Sequence, residues 1–285
     1  MVQPKLPTLV TLGHGYSAAA LAASLGTGWR RIGTVRSPER ADELRRAGVL
    51  PVDWADAAAV EAAIGEASHI LVSIPPDAEG DPALARFGAS LAAARPLWVG
   101  YLSTTGVYGD RQGDWVSEAS TLRPVNARSE RRVAAEAAWR ATGLPLHIFR
   151  LAGIYGPGRS ALDRLREGRA QRIVKDGQIF SRIHRDDIAR VLCASIERPR
   201  PGAAYNVADD LPAPPQDVIA YAAELLGLPC PPAIAFEDAG LSPMARSFYA
   251  ESKKVSNRLI REELAVDLAY PDYKAGLRAI RDAGG

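Results

Sequence analysis

A chain of 285 residues, 47% of them apolar, is long enough to bury a large core without help from disulfides or metal. Its 35 Lys and Arg against 33 Asp and Glu give a net charge of +2 spread along the chain, which offers no grip on nucleic acid or a membrane surface and leaves small molecules as the expected partners. Cys193 and Cys230 lie in no CxxC pair and near no closely spaced histidines, so both are expected as buried reduced thiols, without a metal site. From Met1 to Pro7 there is no basic stretch leading into a long apolar one, and no later apolar run approaches the roughly 20 residues of a membrane span. A cytoplasmic location is the expectation.

In chain order, short apolar runs alternate with alanine-rich stretches of helical period. Strands are predicted at Leu9–Leu12, Arg31–Val35, Val49–Val52, His69–Ile74, Leu97–Leu102 and Leu146–Arg150. Helices are predicted at Ser17–Leu25, Pro38–Ala47, Asp56–Ile64, Pro82–Ala94 and Ser129–Ala141, with Pro38 and Pro82 suited to first turns. Repeated βα units of this kind make an α/β protein: a Rossmann-type, doubly wound parallel sheet. Beyond Arg150 the punctuation changes, with Gly156-Pro157-Gly158 and a proline-rich stretch from Pro199 to Pro215. The expected organisation is a Rossmann domain over residues 1–156, to which 182–208 returns, and a smaller C-terminal substrate lobe over 157–285.

Directly after the first strand stands Gly13-His14-Gly15-Tyr16-Ser17-Ala18, a GxGxxA form of the dinucleotide fingerprint. Gly13 permits the tight turn, Gly15 lets a pyrophosphate approach the backbone, and Ala18 lets the helix pack closely on the sheet. Free amides at the helix start would hold the phosphates. The second strand ends Thr34-Val35-Arg36-Ser37, with no acidic residue for a ribose 2′-hydroxyl. Arg36 instead suits a 2′-phosphate, so NADP is favoured over NAD, which stays possible; the competing reading of Arg36 is a solvated strand-end cation. Ser73, Ile74 and Pro75, at the end of the fourth strand, are placed beside the same cofactor.

The segment Tyr101-Leu102-Ser103-Thr104-Thr105-Gly106-Val107-Tyr108-Gly109 resembles the fifth strand of extended short-chain dehydrogenases/reductases, the NAD-dependent epimerase/dehydratase superfamily. Asp53 resembles that family's adenine-side acid after the third strand, and Arg150 to Gly158, RLAGIYGPG, resembles the turn into its substrate lobe. Arg182 to Asp187, Tyr205-Asn206-Val207, and the stretch from Ser252-Lys253-Lys254 to Glu263-Leu264 are similar to its later landmarks, so the resemblance covers nearly the whole chain. It implies that Thr104 holds the family's catalytic Ser/Thr position, and that Tyr155, Arg159 and Arg182 face substrate. It also implies a Tyr-x-x-x-Lys pair between Ala119 and Leu144, and none is present. Counting back from Glu136, Arg128 and Arg132 occupy those positions, four residues apart on one helix face. The chain thus resembles an atypical branch in which basic residues replace the pair.

An arginine stays protonated. Arg128 can bind a carboxylate or phosphate through paired hydrogen bonds, or stabilise an oxyanion, but it cannot cycle as an acid. A proton would have to come from Tyr108, His184 or water, with Tyr108 nearest Thr104 in sequence; the competing readings are surface arginines on a charged helix and a packing role for His184. Arg128, Arg159 and Arg182 together imply a small anionic substrate. Two functions follow: an NAD(P)-binding oxidoreductase or epimerase/dehydratase-like enzyme, or a non-catalytic NAD(P)H-binding sensor or regulatory protein.

Overall fold

The computed structural model describes residues 6–284. Its centre is a seven-stranded parallel sheet. The strands are β1 (Thr8–Leu12), β2 (Arg30–Val35), β3 (Leu50–Asp53), β4 (His69–Val72), β5 (Trp98–Thr104), β6 (Leu146–Leu151) and β7 (Ala204–Val207). They lie in the order β7-β6-β5-β4-β1-β2-β3. Every residue of β1, β4 and β6 is buried, as expected of parallel strands covered on both faces. The order reverses between β1 and β4, so their C-terminal ends form the crevice where open α/β sheets take ligands.

The helices that return the chain between strands are α1 (Tyr16–Ser24), α2 (Pro38–Arg46), α3 (Ala57–Glu66), α4 (Pro82–Ala94), α5 (Ala127–Arg140) and α6 (Arg185–Glu197). Local chemistry sets their ends. Ser37, Asp56 and Asp81 cap α2, α3 and α4 by accepting hydrogen bonds from first-turn amides, and Pro38 and Pro82 open α2 and α4. The predicted bounds stand within about two residues of these. The α5 helix begins at Ala127 rather than Ser129 because Asn126 Oδ1 accepts the Ser129 amide at 2.9 Å. The β4 strand stops at Val72, and the next amide, Ser73 N, joins β1's last carbonyl, Leu12 O, at 2.9 Å.

The chain divides into two compact units of interleaved segments. Unit 1 runs to Ser103 and takes up Arg131–Arg150 and Ile188–Tyr205; unit 2 takes Thr104–Glu130, Leu151–Asp187 and the chain from Asn206 on. The stretches 104–130, 151–156, 182–187 and 206–208, expected with the first domain, therefore lie in unit 2, and only 188–205 of the expected return lies in unit 1.

Unit 1 packs Val10, Ile32, Val60, Ile64, Phe87 and Trp139 into one apolar core. Glu136, fully buried, is held by Arg150, whose Nε and Nη2 donate at 3.1 and 2.8 Å, and by the Ser103 hydroxyl at 2.5 Å. Unit 2 has its own core of Tyr155, Leu162, Val218, Ile219, Tyr273 and Leu277. Within it the strand Gly153–Tyr155 pairs with Arg182–His184, and Trp115–Val116 pairs with Lys254–Val255. Asp187 closes a late loop by accepting the amides of Ala269 and Tyr270 at 2.8 and 2.9 Å.

Cys230 is exposed, not buried, because it lies in the Pro-flanked turn that leaves the helix Pro215–Leu226. Cys193 is half-buried, and burial pushes its thiol up to about 11. Among the described residues no helix is long and apolar enough to cross a membrane, and no cluster of His, Cys, Asp and Glu could hold a metal.

Candidate functional site

In unit 1 the apolar run of β1 ends at Gly13, whose φ of +87° turns the chain. A Cβ there would stand 2.8 Å from Ile74 Cγ1, so the β1 and β4 ends close on each other with room for hydrogen alone. Ser73 Oγ donates to Gly13 O and tightens that contact. Gly15 differs: a Cβ built on it would meet nothing within 4 Å, and Gly15 is exposed. No side chain caps α1, so among the described residues the Ser17 and Ala18 amides at its start have no partner. Ala18 is fully buried against the sheet. A bare glycine surface beside free helix-start amides is the cradle a pyrophosphate needs, and these residues fit a dinucleotide.

His14 does not share in it through its ring. Its imidazole is buried and bonded to Thr11 Oγ1 at 2.8 Å, and its amide donates to Thr34 O at 3.2 Å. Burial, with Arg40 nearby, pulls it down to about 4, so it is neutral at pH 7. Arg36 stands exposed just past β2 with no ion-pair partner among the described residues. Arg40, which the motif did not single out, donates from Nη2 to His14 O at 3.2 Å and so puts a second guanidinium beside the loop. The only local sign of it was its place one turn after the Ser37 cap. Asp53 ends β3, exposed, with Oδ1 accepting the Ala55 amide at 2.9 Å. Pro75 is exposed beside half-buried Ile74.

Unit 2 holds a cavity of about 830 Å³, within the range of small-molecule sites. Thr104, Arg128, Tyr155, Arg159 and Arg182 all line it. Thr104 Oγ1 accepts the Gly106 amide at 3.1 Å, capping the short turn Thr105–Tyr108. Arg128 is exposed in the first turn of α5, its guanidinium 4.3 Å above the Phe248 ring. Arg182 is more embedded: Nη1 donates to Phe180 O and Ala213 O at 2.9 and 3.0 Å, and burial lowers its pKa. Tyr155 donates to Asp272 O at 3.3 Å, with its phenol pKa pushed up by burial. Arg164, Arg169 and Lys253 add to the positive lining, against Asp163, Glu167 and Glu251. Of the acids, Glu167 is paired with Arg169, Asp163 closes a capping box with Ser160, and Glu251 binds Lys253.

Two expected residues stand apart from this cavity. Tyr108 is fully buried and its hydroxyl donates to Asn206 Oδ1 at 2.6 Å; it packs unit 2 and is not open to a substrate. Arg132, in unit 1, spends Nη1 on Leu102 O and Tyr101 Oη at 2.9 and 3.0 Å, at the end of β5. Arg128 and Arg132 thus share a helix but not a task. His184 is buried between Tyr155 and Tyr270, and burial pulls it down to about 4. Sequence reasoning passed over Glu251 and Phe248 and took Lys253 only as part of a family landmark, not as a site residue. Phe248 ends the short helix Pro243–Phe248 and the other two sit in irregular chain, all more than a hundred residues from α5.

No protein-family model matches the chain. Protein YeeZ of Escherichia coli strain K12 is 27% identical over 282 residues, which covers 92% of this chain and 95% of that protein. The UDP-glucuronic acid 4-epimerase of Bacillus cereus, solved in complex with NAD, is 16% identical and superposes with a TM-score of 0.75 over 96% of this chain and 97% of its own. That likeness shows that the two chains share a fold. A functionally unknown conserved protein from Silicibacter pomeroyi DSS is 53% identical, with a TM-score of 0.92 over 98% of this chain and 99% of its own. At that identity and coverage the chain belongs to the same family as the Silicibacter pomeroyi protein, built on the epimerase/dehydratase fold.

Proposed function

We propose that this protein is an NADP-linked oxidoreductase or epimerase/dehydratase-like enzyme acting on a small anionic substrate. The observation that carries the reading is the open surface over Gly15 beside the uncapped start of α1. When bound, the nicotinamide would supply hydride donor and acceptor chemistry. The chain's own residues do the rest. Gly13, Gly15, Ser17 and Ala18 receive the pyrophosphate, Ser73, Ile74 and Pro75 border it, Asp53 lies on the adenine side, and Arg36 with Arg40 receives a 2′-phosphate. Support for NADP over NAD is the exposed Arg36, without an ion-pair partner among the described residues, and the lack of an acidic residue in Thr34-Val35-Arg36-Ser37; Arg40, paired with Glu43, stands at the same corner.

Unit 2 is the substrate side in this reading. Arg128, Arg159 and Arg182 make the cavity positive and so favour an anion, and Thr104 orients the reacting oxygen. Arg132 holds the end of β5 and stands in for the lysine of the Tyr-x-x-x-Lys pair as a fixed positive charge. The B. cereus epimerase, with the same fold, has also been solved with UDP-glucuronic acid, an anionic sugar nucleotide. One observation favours the second reading, a sensor: the Tyr108 hydroxyl is committed to Asn206 and gives a substrate no proton.

Calorimetric titration with NADPH and NADH tests the first claim. NADPH is expected to bind more tightly, and Arg36→Ala to weaken NADPH about tenfold, or ~1.4 kcal/mol, while sparing NADH. Equal affinities in the wild type would overturn the preference. A metabolite screen for compounds that raise Tm only with NADPH present then separates enzyme from sensor. Turnover of NADPH with such a compound marks the enzyme; binding without turnover marks the sensor.

A further inference from the structure

The enzymatic reading needs a side chain in unit 2 that can give up and regain a proton, and neither Tyr108 nor His184 lines the cavity. Lys253 does. It is 8% exposed, and its Nζ donates to Glu251 Oε2 at 2.5 Å, so this is a largely desolvated ion pair set in a cavity wall. The tripeptide that carries it is fixed on every side. Ser252 O accepts the amides of Arg111 and Gly113 at 3.0 Å each, and Ser252 N donates to Asp110 Oδ1 at 2.8 Å. Ser252 Oγ donates to Gly177 O at 2.7 Å and accepts the Ile179 amide at 3.1 Å, while Gln178 Nε2 donates to Glu251 O at 2.6 Å.

Glu251 also reaches the arginine side of the cavity. Its Oε1 accepts from Asn126 Nδ2 at 3.0 Å, and Asn126 caps the helix turn that presents Arg128. One carboxylate thus sets both Lys253 and the start of α5. Arg128 and Arg164 line the same cavity and make no ion pair among the described residues. Anchoring cations, and one lysine able to exchange a proton, are what an anionic carbonyl or hydroxy compound requires.

We propose that Lys253, positioned by Glu251, is the proton-exchanging side chain of the unit 2 cavity, and that the cavity takes an anionic carbonyl or hydroxy compound whose anion lies on Arg128 and Arg164. The proposal rests on the enzymatic reading above. Lys253's part is the proton: where a substrate carbonyl is reduced, its ammonium would give the oxygen a proton, and the hydride would be what a bound reduced dinucleotide supplies. The product is the alcohol, and the Lys253 amine regains a proton from water. In the reverse direction the amine would take the hydroxyl proton, and a bound oxidised dinucleotide would be the hydride acceptor.

The test uses pyridoxal 5′-phosphate, an aldehyde bearing a phosphate, followed by borohydride and peptide mapping. Aldehyde and Lys amine condense to an imine with loss of water, and borohydride reduces it to a stable amine. The chain has only Lys5, Lys175, Lys253, Lys254 and Lys274 to label. At limiting reagent, Lys253 is expected to carry most of the label, with at least a fivefold loss in Arg128→Ala and Arg164→Ala and on competition by inorganic phosphate. Glu251→Gln is expected to cut the Lys253 label at least fivefold, and Glu251→Asp, which keeps the carboxylate, to restore most of it, with Tm and NADPH affinity unchanged in both. A Glu251 that merely packs the wall would show no such rescue by the conservative variant. Label confined to the other lysines, or a Lys253 label indifferent to phosphate and to both arginine variants, would overturn the proposal. NADPH titration of the unlabelled wild type separates the two claims: lost labelling with intact NADPH binding sinks this inference alone, and the converse sinks the cofactor reading alone.

Discussion

In unit 1 the groups proposed to bind a ligand are main-chain amides and the bare surface of Gly15, with Arg36 and Arg40 at one corner. In unit 2 they are guanidinium, ammonium and hydroxyl groups brought from segments as far apart as Thr104, Arg164 and Lys253. A main-chain cradle recognises what all dinucleotides share, a pyrophosphate, and tolerates most side-chain changes around it. A side-chain cavity recognises charge and shape peculiar to one substrate and is sensitive at each contributing residue. On the proposed function, cofactor binding would therefore rest on a few backbone positions and substrate choice on many side chains.

The largest expected effect breaks the backbone half of that contrast. Gly15 has no positive φ, and its Cβ position is empty, so Gly15→Val should fold normally with an unchanged Tm. NADPH affinity should nevertheless fall at least ~100-fold, about 2.7 kcal/mol, because the branched side chain fills the space a pyrophosphate needs. Calorimetry on a variant with wild-type circular dichroism checks this. Ordinary binding by the folded variant would remove the cradle from unit 1.

Acid should affect the two units differently. His14 is held near 4 by burial against 6.5 for the free group, so the fold favours its neutral form. That contribution is whole above pH 6.5 and is lost as the pH falls toward 4, about 2 kcal/mol of it between pH 7 and 5. His69, also in unit 1, acts in the same direction through burial. In unit 2, His184 acts likewise, but Asp209 opposes it. Burial pushes that carboxyl up to about 8 against 3.8, so the fold favours its protonated form, and its cost disappears as the pH drops from 8 toward 4. Hydrogen exchange at pH 7.5 and 5, corrected for intrinsic rates, should show unit 1 losing more protection. Equal losses would mean that the buried groups do not distinguish the units.

The smallest effect sharpens the side-chain half. Arg128→Lys keeps the charge but loses the planar fork, and it should weaken a compound found by the NADPH-dependent screen about tenfold, or ~1.4 kcal/mol. Its NADPH affinity should match the wild type. A drop in NADPH affinity instead would move Arg128 from the substrate to the cofactor.

The contrast also explains what could be read from the chain. Gly13, Gly15 and Ala18 were legible because a turn and the helix after it are local events, written in consecutive residues. Tyr108 was misleading, since its spacing from Thr104 is the same whether its hydroxyl faces a substrate or Asn206, 98 residues on. Four-residue spacing put Arg128 and Arg132 on one helix face but could not show that Arg132 is taken by the end of β5 while Arg128 lies in the cavity. The family likeness marked the stretch Ser252-Lys253-Lys254 but not the meeting of Glu251 with Lys253 in a cavity wall, because the segment's partners are Asn126 and the turns at Asp110 and Gln178.

By itself the sequence determined the βα alternation, the helix ends set by Ser37, Asp81 and Pro82, and the turn that bares Gly15. Each follows from propensity, capping or φ over a handful of neighbouring residues. Tertiary structure alone decided which arginines line a cavity and which brace a strand, which hydroxyl is buried, and that Lys253 and Glu251 meet in one wall. Those outcomes depend on desolvation and on partners distant along the chain, and neither is encoded in local spacing.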